Sequence, residues 1–342
     1  MAENQTSDNK IANILLPVPS ESSSTQSGTS VERQDFDLIQ NILQQDIVSL
    51  DCLKKMNWQG LNCPLTRAQI WRLILGHESS DKQVRSEELK SRRLDYIEKL
   101  KTLPNYSRRT KSIKNFLEPL LKYDLFQKEA VQNSLTKLIL LISAKENLKK
   151  KYISSIIIPF YLVFLSEFYP LDLKTLDTND EGPQKSYLSI VEADTYCCSL
   201  IFLSSFSRST NLKLSKNIIK ALERFDSTVF LHITEEGQEL SFLNRWVKHL
   251  FLKDFPLHIC VRIFDELISI KGSNSYCEEN GSHISFLVCL ACALLSIFRG
   301  KILITSGPQL KNTLSRLPTE NWGEIEILIL ISQAYLYQSI LE

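Results

Sequence analysis

An all-α fold is predicted for this 342-residue chain by three features: glycine and proline are scarce, at 10 and 11 residues, apolar residues recur at helical spacing, and turn-forming residues cluster in few places. Scarce glycine and proline leave few tight turns. That disfavours sandwiches, barrels and phosphate-cradling glycine loops, and favours long helices with short joints. The length accommodates one large domain or two moderate ones around a sizeable core. Hydrophobic residues at 43% and charged residues at 23% are ordinary for a globular protein. Lys and Arg total 40 against 39 Asp and Glu, a net charge of +1. So balanced a chain lacks the basic excess of a dedicated nucleic-acid binder, and no nucleic-acid partner is expected.

Residues 1–34 are rich in Ser, Thr, Gln and Asn. They offer too little apolar surface to offset the entropy of ordering and are expected to form a disordered tail. The apolar run within them is too short for a secretion signal, so the chain is expected to be cytoplasmic. Phe36, Leu38, Ile39, Ile42, Leu43 and Ile47 then recur at helical spacing and predict an amphipathic first helix. Helical patterns continue almost to the end, broken near 57–64, 103–110, 170–183, 207–210, 272–281 and 306–308. No repeat of about 20 to 50 residues stands out, which disfavours a regular solenoid. The helix predicted within 67–76 puts Trp71 and Leu75 on one face and Gly76 where it can serve as a C-cap. The apolar stretches 152–165 and 284–298 fall short of the roughly 20 apolar residues of a membrane span. They read as helices buried on all sides in a core.

The side chains that carry chemistry form no familiar catalytic pattern by themselves. The eight cysteines, at 52, 63, 197, 198, 260, 277, 289 and 292, are expected to be free thiols in a reducing compartment. Cys289 and Cys292 form a C-x-x-C within an apolar helix with no second pair, so they read as small buried hydrophobes rather than metal ligands. The five histidines, at 77, 232, 249, 258 and 283, lack metal-binding spacing, and no metal site is expected. No nucleophile and base pair supports a small-molecule reaction. Lys149, Lys150 and Lys151 read as a solvated turn complementing a helix dipole, with contact to an acidic membrane face as the alternative.

A series of short words nevertheless follows in order. After Trp58, Gly60 and Pro64 come Arg67-Ala68-Gln69-Ile70-Trp71-Arg72-Leu73-Ile74-Leu75-Gly76, then Val163-Phe164-Leu165-Ser166-Glu167 and Glu192-Ala193-Asp194-Thr195-Tyr196. Arg245-Trp246, Phe255-Pro256-Leu257, Arg262-Ile263-Phe264-Asp265, Leu317-Pro318-Thr319 and Trp322-Gly323 complete it. The series resembles the TBC domain, the Rab GTPase-activating module, and most closely its Golgi-type branch, over roughly residues 36–340.

The resemblance implies an all-α, two-lobed, V-shaped domain over 35–342, with an N-lobe of about 35–190 and a C-lobe of about 191–342. Its partner would be a GTP-loaded Rab in vesicle traffic, with peripheral contact on Golgi or other endomembranes. GTP and Mg would be carried by the Rab, and the chain would hold no cofactor of its own. Members of the family supply an arginine from I-x-x-D-x-x-R to neutralise charge between the phosphates and a glutamine from Y-x-Q to orient water. Such an arginine is worth about 10³ to 10⁵ in rate.

Counting back from Phe126-Gln127 puts the family's Asp position on Asn115 and its Arg position on Glu118, and the Gln position falls on Ser154. Arg109, beside Thr110, is the one candidate for a displaced finger. The chain is therefore expected to bind GTP-loaded Rab with weak or absent GTPase-activating activity and to be no enzyme itself. An active GTPase-activating protein using Arg109 and an all-helical adaptor without a GTPase partner are the alternatives. Arg67, Trp71, Glu192, Asp194, Arg245, Trp246, Arg262 and Asp265 are either Rab-facing or structural. Trp246 shares helical spacing with Leu243 and Leu250 and reads as core. Glu192, Asp194, Arg262 and Asp265 read as partly buried ion pairs or helix caps.

Overall fold

The computed structural model describes residues 30–60, 64–102, 117–146, 150–178, 182–204, 208–236, 241–251, 253–270 and 282–341. Among them every element is helical apart from an isolated bridge between Ile47 and Asp81. The chain divides into two compact units, Met1–Phe202 and Leu203–Glu342.

In the first unit α1 (Ser30–Leu43), α2 (Leu50–Gln59), α3 (Pro64–Leu75) and α4 (Lys82–Lys101) come first. A 3₁₀ turn at Glu118–Leu120, the short α5 (Asp124–Gln127), α6 (Glu129–Glu146), α7 (Lys150–Leu165) and α8 (Lys185–Ser204) follow. The first helix starts at Ser30, earlier than its apolar stripe suggests and inside the segment expected to be a tail. Glu32, Arg33 and Gln34 are good helix formers that composition alone counts as polar tail. Residues 1–29 of that segment, and the candidate finger Arg109, lie outside the described residues.

Local chemistry sets the helix ends. The Ser49 hydroxyl accepts the N–H of Cys52 at the start of α2, and the Asp81 carboxylate accepts that of Gln83 at 2.8 Å at the start of α4. At the end of α3, Gly76 adopts φ +75° and turns the chain back on itself. Its N–H donates to the Leu73 carbonyl at 3.0 Å, and that of His77 to the Arg72 carbonyl at 2.9 Å. These are the two bonds of a Schellman cap, which requires the left-handed backbone that glycine adopts without strain. The Arg92 guanidinium donates to the carbonyls of Gly76 and His77, so the cap is also tied to α4.

The core of this unit surrounds α7. Every residue from Ile153 to Ser166 is buried. Trp71 of α3 meets Phe160 edge-on at 5.3 Å, and Phe160 in turn lies 6.2 Å from Phe164 and 5.7 Å from Phe202. Such aromatic contacts add to the area that each ring removes from water.

The second unit contains α9 (Arg208–Phe225), α10 (Ser227–Glu235), α11 (Ser241–His249), α12 (Leu257–Ile270), α13 (Ser282–Ile297), α14 (Arg299–Leu303), α15 (Gly307–Ser315) and α16 (Glu324–Leu341). Here α13 is the central element, packed by α9, α12 and α16, with Phe286 to Leu295 buried without interruption. Cys289 and Cys292 lie in that run, and burial pushes the Cys292 thiol well above its ordinary pKa. Among the described residues no helix is long and apolar enough to cross a membrane. The largely apolar runs 153–165 of α7 and 286–295 of α13 are hydrophobic all round because they are enclosed all round, whereas Ile297 at the end of α13 is exposed.

Glu266 is an acid on the buried face of α12. Arg262 lies one turn back with its guanidinium 2.6 Å away, and the Tyr335 hydroxyl of α16 donates to the carboxylate at 2.7 Å. Burial outweighs both, raising its pKa from 4.5 to about 7.

Two outcomes follow. Gly76→Ala introduces a Cβ that meets nothing within 4 Å, so its cost is conformational alone. Denaturant titration should show a loss of about 1 kcal/mol, with Gly76→Asn losing less because asparagine tolerates this backbone. Equal stability of all three proteins would contradict the cap. The folded chain also keeps the Glu266 proton across a range in which the unfolded chain has released it. Stability should therefore fall by about 3 kcal/mol as pH rises from 4.5 to about 7 through this group. Comparing denaturation midpoints across that window should show the drop in the parent and its disappearance in Glu266→Gln.

Candidate functional site

The words read from the sequence converge in two clusters, one in each unit. In the first, Asp194 of α8 has no exposed surface and receives two guanidinium groups. Arg93 of α4 donates to it through Nε at 2.8 Å and through Nη2 at 2.7 Å, and Arg72 of α3 adds Nη1 at 3.3 Å. The Nε2 of His77 lies 2.9 Å from the same carboxylate. Burial alone would raise the pKa of this carboxyl, but Arg93, His77 and Arg72 overcome it and hold Asp194 far below the usual carboxylate range.

Arg72 is shared among three acids. It makes a bidentate pair with Glu167, just past the end of α7, at 2.6 and 2.8 Å, and its Nε donates to Glu78 at 2.9 Å. Burial opposes its charge, yet Glu167, Glu78 and Asp194 keep it protonated well above the ordinary arginine range. Gln69 donates to the other oxygen of Glu78 at 2.9 Å. Two residues before Asp194, Glu192 accepts the Tyr96 hydroxyl and the Lys137 ammonium, each at 2.9 Å. The Gly76 cap is what brings Glu78 and His77 back onto this cluster. Arg67 on α3 is partly buried, while Trp71 is fully buried and faces the aromatic core rather than solvent.

The second cluster gathers the later words. Arg245 of α11 pairs with Asp254 and donates to the Ser315 carbonyl, while the Thr319 hydroxyl donates to the Asp254 carbonyl. Burial pushes the Asp254 carboxyl up, partly offset by Arg245. Trp246 is fully buried, edge-on to Phe242 at 5.1 Å and 5.6 Å from Phe251. Rings continue from Phe251 to Phe255 at 6.0 Å and from Phe255 to Trp322 at 5.4 Å. Arg262 is buried on α12 against Glu266, and Asp265 has no exposed surface.

Neither cluster sets a nucleophile against a base, and among the described residues no group of potential ligands could hold a metal ion. What they do is hold helices. Arg93 went unnoticed in the sequence, although Leu89, Arg93 and Tyr96 occupy one buried stripe of α4. A cation at an apolar position of such a stripe is the signal that would have found it. His77 and Glu78 carried no comparable signal, because they reach the cluster only through the reversal at Gly76.

The positions matched to the family's two fingers differ in setting. Glu118 opens the 3₁₀ turn and is exposed, whereas Ser154 lies within α7 and is only 7% exposed.

Comparison with known proteins supplies the family. The Rab-GTPase-TBC domain matches residues 65–303. TBC1 domain family member 22B of Homo sapiens is 28% identical over 324 residues, covering 89% of this chain and 61% of that protein. The GTPase-activating protein gyp1 of Schizosaccharomyces pombe is 24% identical over 324 residues, covering 87% of this chain and 60% of its own length. The chain thus spans about 61% of the length of the relatives it matches. The crystal structure of the Ypt/Rab-GAP domain of Gyp1p shares the fold, with a TM-score of 0.77 at 22% identity over 91% of this chain and 99% of that one. These relatives correct one expectation, that of a regulator with no catalytic role: the fungal proteins of this family are named as GTPase-activating proteins. That expectation came from Glu118 and Ser154 standing where the family's motif words have arginine and glutamine. With the match running through most of its length, the chain belongs to the Rab-GTPase-TBC domain family.

Proposed function

We propose that this chain binds a Rab-family GTPase in its GTP-loaded form and accelerates GTP hydrolysis, at a rate below that of a protein bearing both fingers. Membership of the family supports the partner class. The observation that carries the reduced rate is the setting of Ser154, whose hydroxyl is enclosed in α7 where an exposed amide would be needed to orient water. Glu118, exposed on its turn, brings a negative charge toward phosphate oxygens and opposes rather than stabilises charge developing there. Arg109 supplies the guanidinium in this reading. GTP and Mg enter with the partner, so the chain contributes only positioning and charge. The engagement takes place at a cytosolic membrane face, to whose acidic headgroups the three positive charges of the sequence run Lys149 to Lys151 would be attracted.

Single-turnover hydrolysis with a panel of GTP-loaded Rab proteins tests this. Acceleration on at least one Rab is expected, below the factor of about 10³ that a full arginine finger supplies, and Arg109→Ala should abolish most of it. Pull-downs should favour the GTP-loaded over the GDP-loaded form, with Arg109→Ala still binding. Binding indifferent to nucleotide, with no acceleration on any Rab, would overturn the proposal and leave an adaptor.

A further inference from the structure

The last helix is apolar on two faces. One face of α16, with Ile327, Leu330, Ile331 and Ala334, is buried in the second unit. The other carries Ile325 at 71% exposure, Leu328 at 48%, Ile329 at 53%, Leu336 at 55% and Ile340 at 49%. These residues are spaced by three, four and seven positions, so they form a single stripe along the helix. A surface helix ordinarily carries polar residues there, and large aliphatic side chains collected in one stripe mark an interaction face.

The stripe is self-complementary in shape and in charge. It is nearly symmetric about Ser332 and Gln333: Ile329 and Leu336 flank that centre at similar distances, as do Ile325 and Ile340. Its N-terminal end is bordered by the exposed acids Glu324 and Glu326. At its C-terminal end Arg224 of α9 donates to the Ile340 carbonyl at 3.3 Å, and Phe225 stacks on Tyr337 at 4.2 Å. Lys220, one turn before Arg224, is exposed as well. One end is therefore acidic and the other basic.

We infer that the occupant of this face is a second copy of this chain, docked through an antiparallel contact between the two α16 helices. A two-fold contact requires one patch to fit itself. In this arrangement Ile325 of each copy meets Ile340 of the other, and Ile329 meets Leu336. Each acidic end lies against the other copy's Arg224 and Lys220, and the small Ser332 sits where the helices cross. An anionic membrane fits less well, because Glu324 and Glu326 border the stripe. An 18-residue helix spans about 27 Å, which puts the contact at the small end of specific interfaces and predicts reversible association in the micromolar range.

Sedimentation velocity over a concentration series tests the inference on the whole chain. A monomer–dimer equilibrium is expected, and Leu336→Glu should leave monomer at every concentration while far-UV circular dichroism stays unchanged. Glu324→Lys and Arg224→Glu should each weaken the dimer by about tenfold, and combining them should restore it, because the reversed charges again face each other. Three outcomes would overturn the inference: a monomeric parent at all concentrations, a dimer indifferent to Leu336→Glu, or charge reversals whose effects simply add. Binding of the parent monomer to anionic vesicles through the same stripe would likewise assign it to a lipid surface instead.

Discussion

Asp194 is a carboxylate with no exposed surface, and the arrangement of four helical segments depends on how its charge is met. Leaving such a group ionised and alone in an apolar interior is prohibitive, so its partners must arrive in fixed places. Arg72 comes from α3, Arg93 from α4 and His77 from the cap that ends α3. Arg72 extends the arrangement to Glu167 beyond α7, through a fork that accepts one orientation of the carboxylate. A buried network of this kind does not by itself outdo an apolar core in stability. Its contribution is geometric. The helices have to meet in the register that satisfies every charge, and the family words at Arg72, Glu167 and Asp194 are the places where that register is written.

The second unit solves a similar problem with a different result. Glu266 has one neighbouring guanidinium, on its own helix, and one tyrosine hydroxyl, against two guanidiniums and an imidazole at Asp194. The outcome follows from that difference. At Asp194 the cations overcome burial and the acid stays charged, whereas at Glu266 burial prevails and the pKa rises to about 7. Asp265 next to it adds a like charge in the same direction. Arg245 and Asp254 fall between, with burial at Asp254 partly offset by its partner.

Much of the fold was legible in the sequence because helical periodicity and the scarcity of glycine and proline are local signals. The all-α architecture, the enclosed segments α7 and α13 and the cap at Gly76 could all be read that way. The start of α1 was not, because periodicity registers a helix only where apolar residues recur, and apart from Val31 the run Ser30 to Gln34 is polar. At the site, Glu192 and Asp194 were legible as paired acids, but their partners were not. Arg93 lies 101 positions from Asp194 and Arg72 lies 122 positions away, and no spacing rule connects residues so far apart. The finger positions divide in the same way: the enclosure of Ser154 follows from the apolar stretch 152–165 around it, whereas the exposure of Glu118 on its 3₁₀ turn is seen only in the fold.

The central claim is that Asp194 and its guanidinium partners act as one unit, and a double-mutant cycle between Arg93 and Asp194 measures that directly. Denaturant unfolding would be followed for the parent, Arg93→Met, Asp194→Leu and the double variant. Arg93→Met should cost about 3 to 5 kcal/mol because it strips a charge from a buried acid, and the double variant should lose far less than the two single changes together. Losses that simply add would mean that the two side chains are not coupled, and the register of these helices would then be set by apolar packing alone.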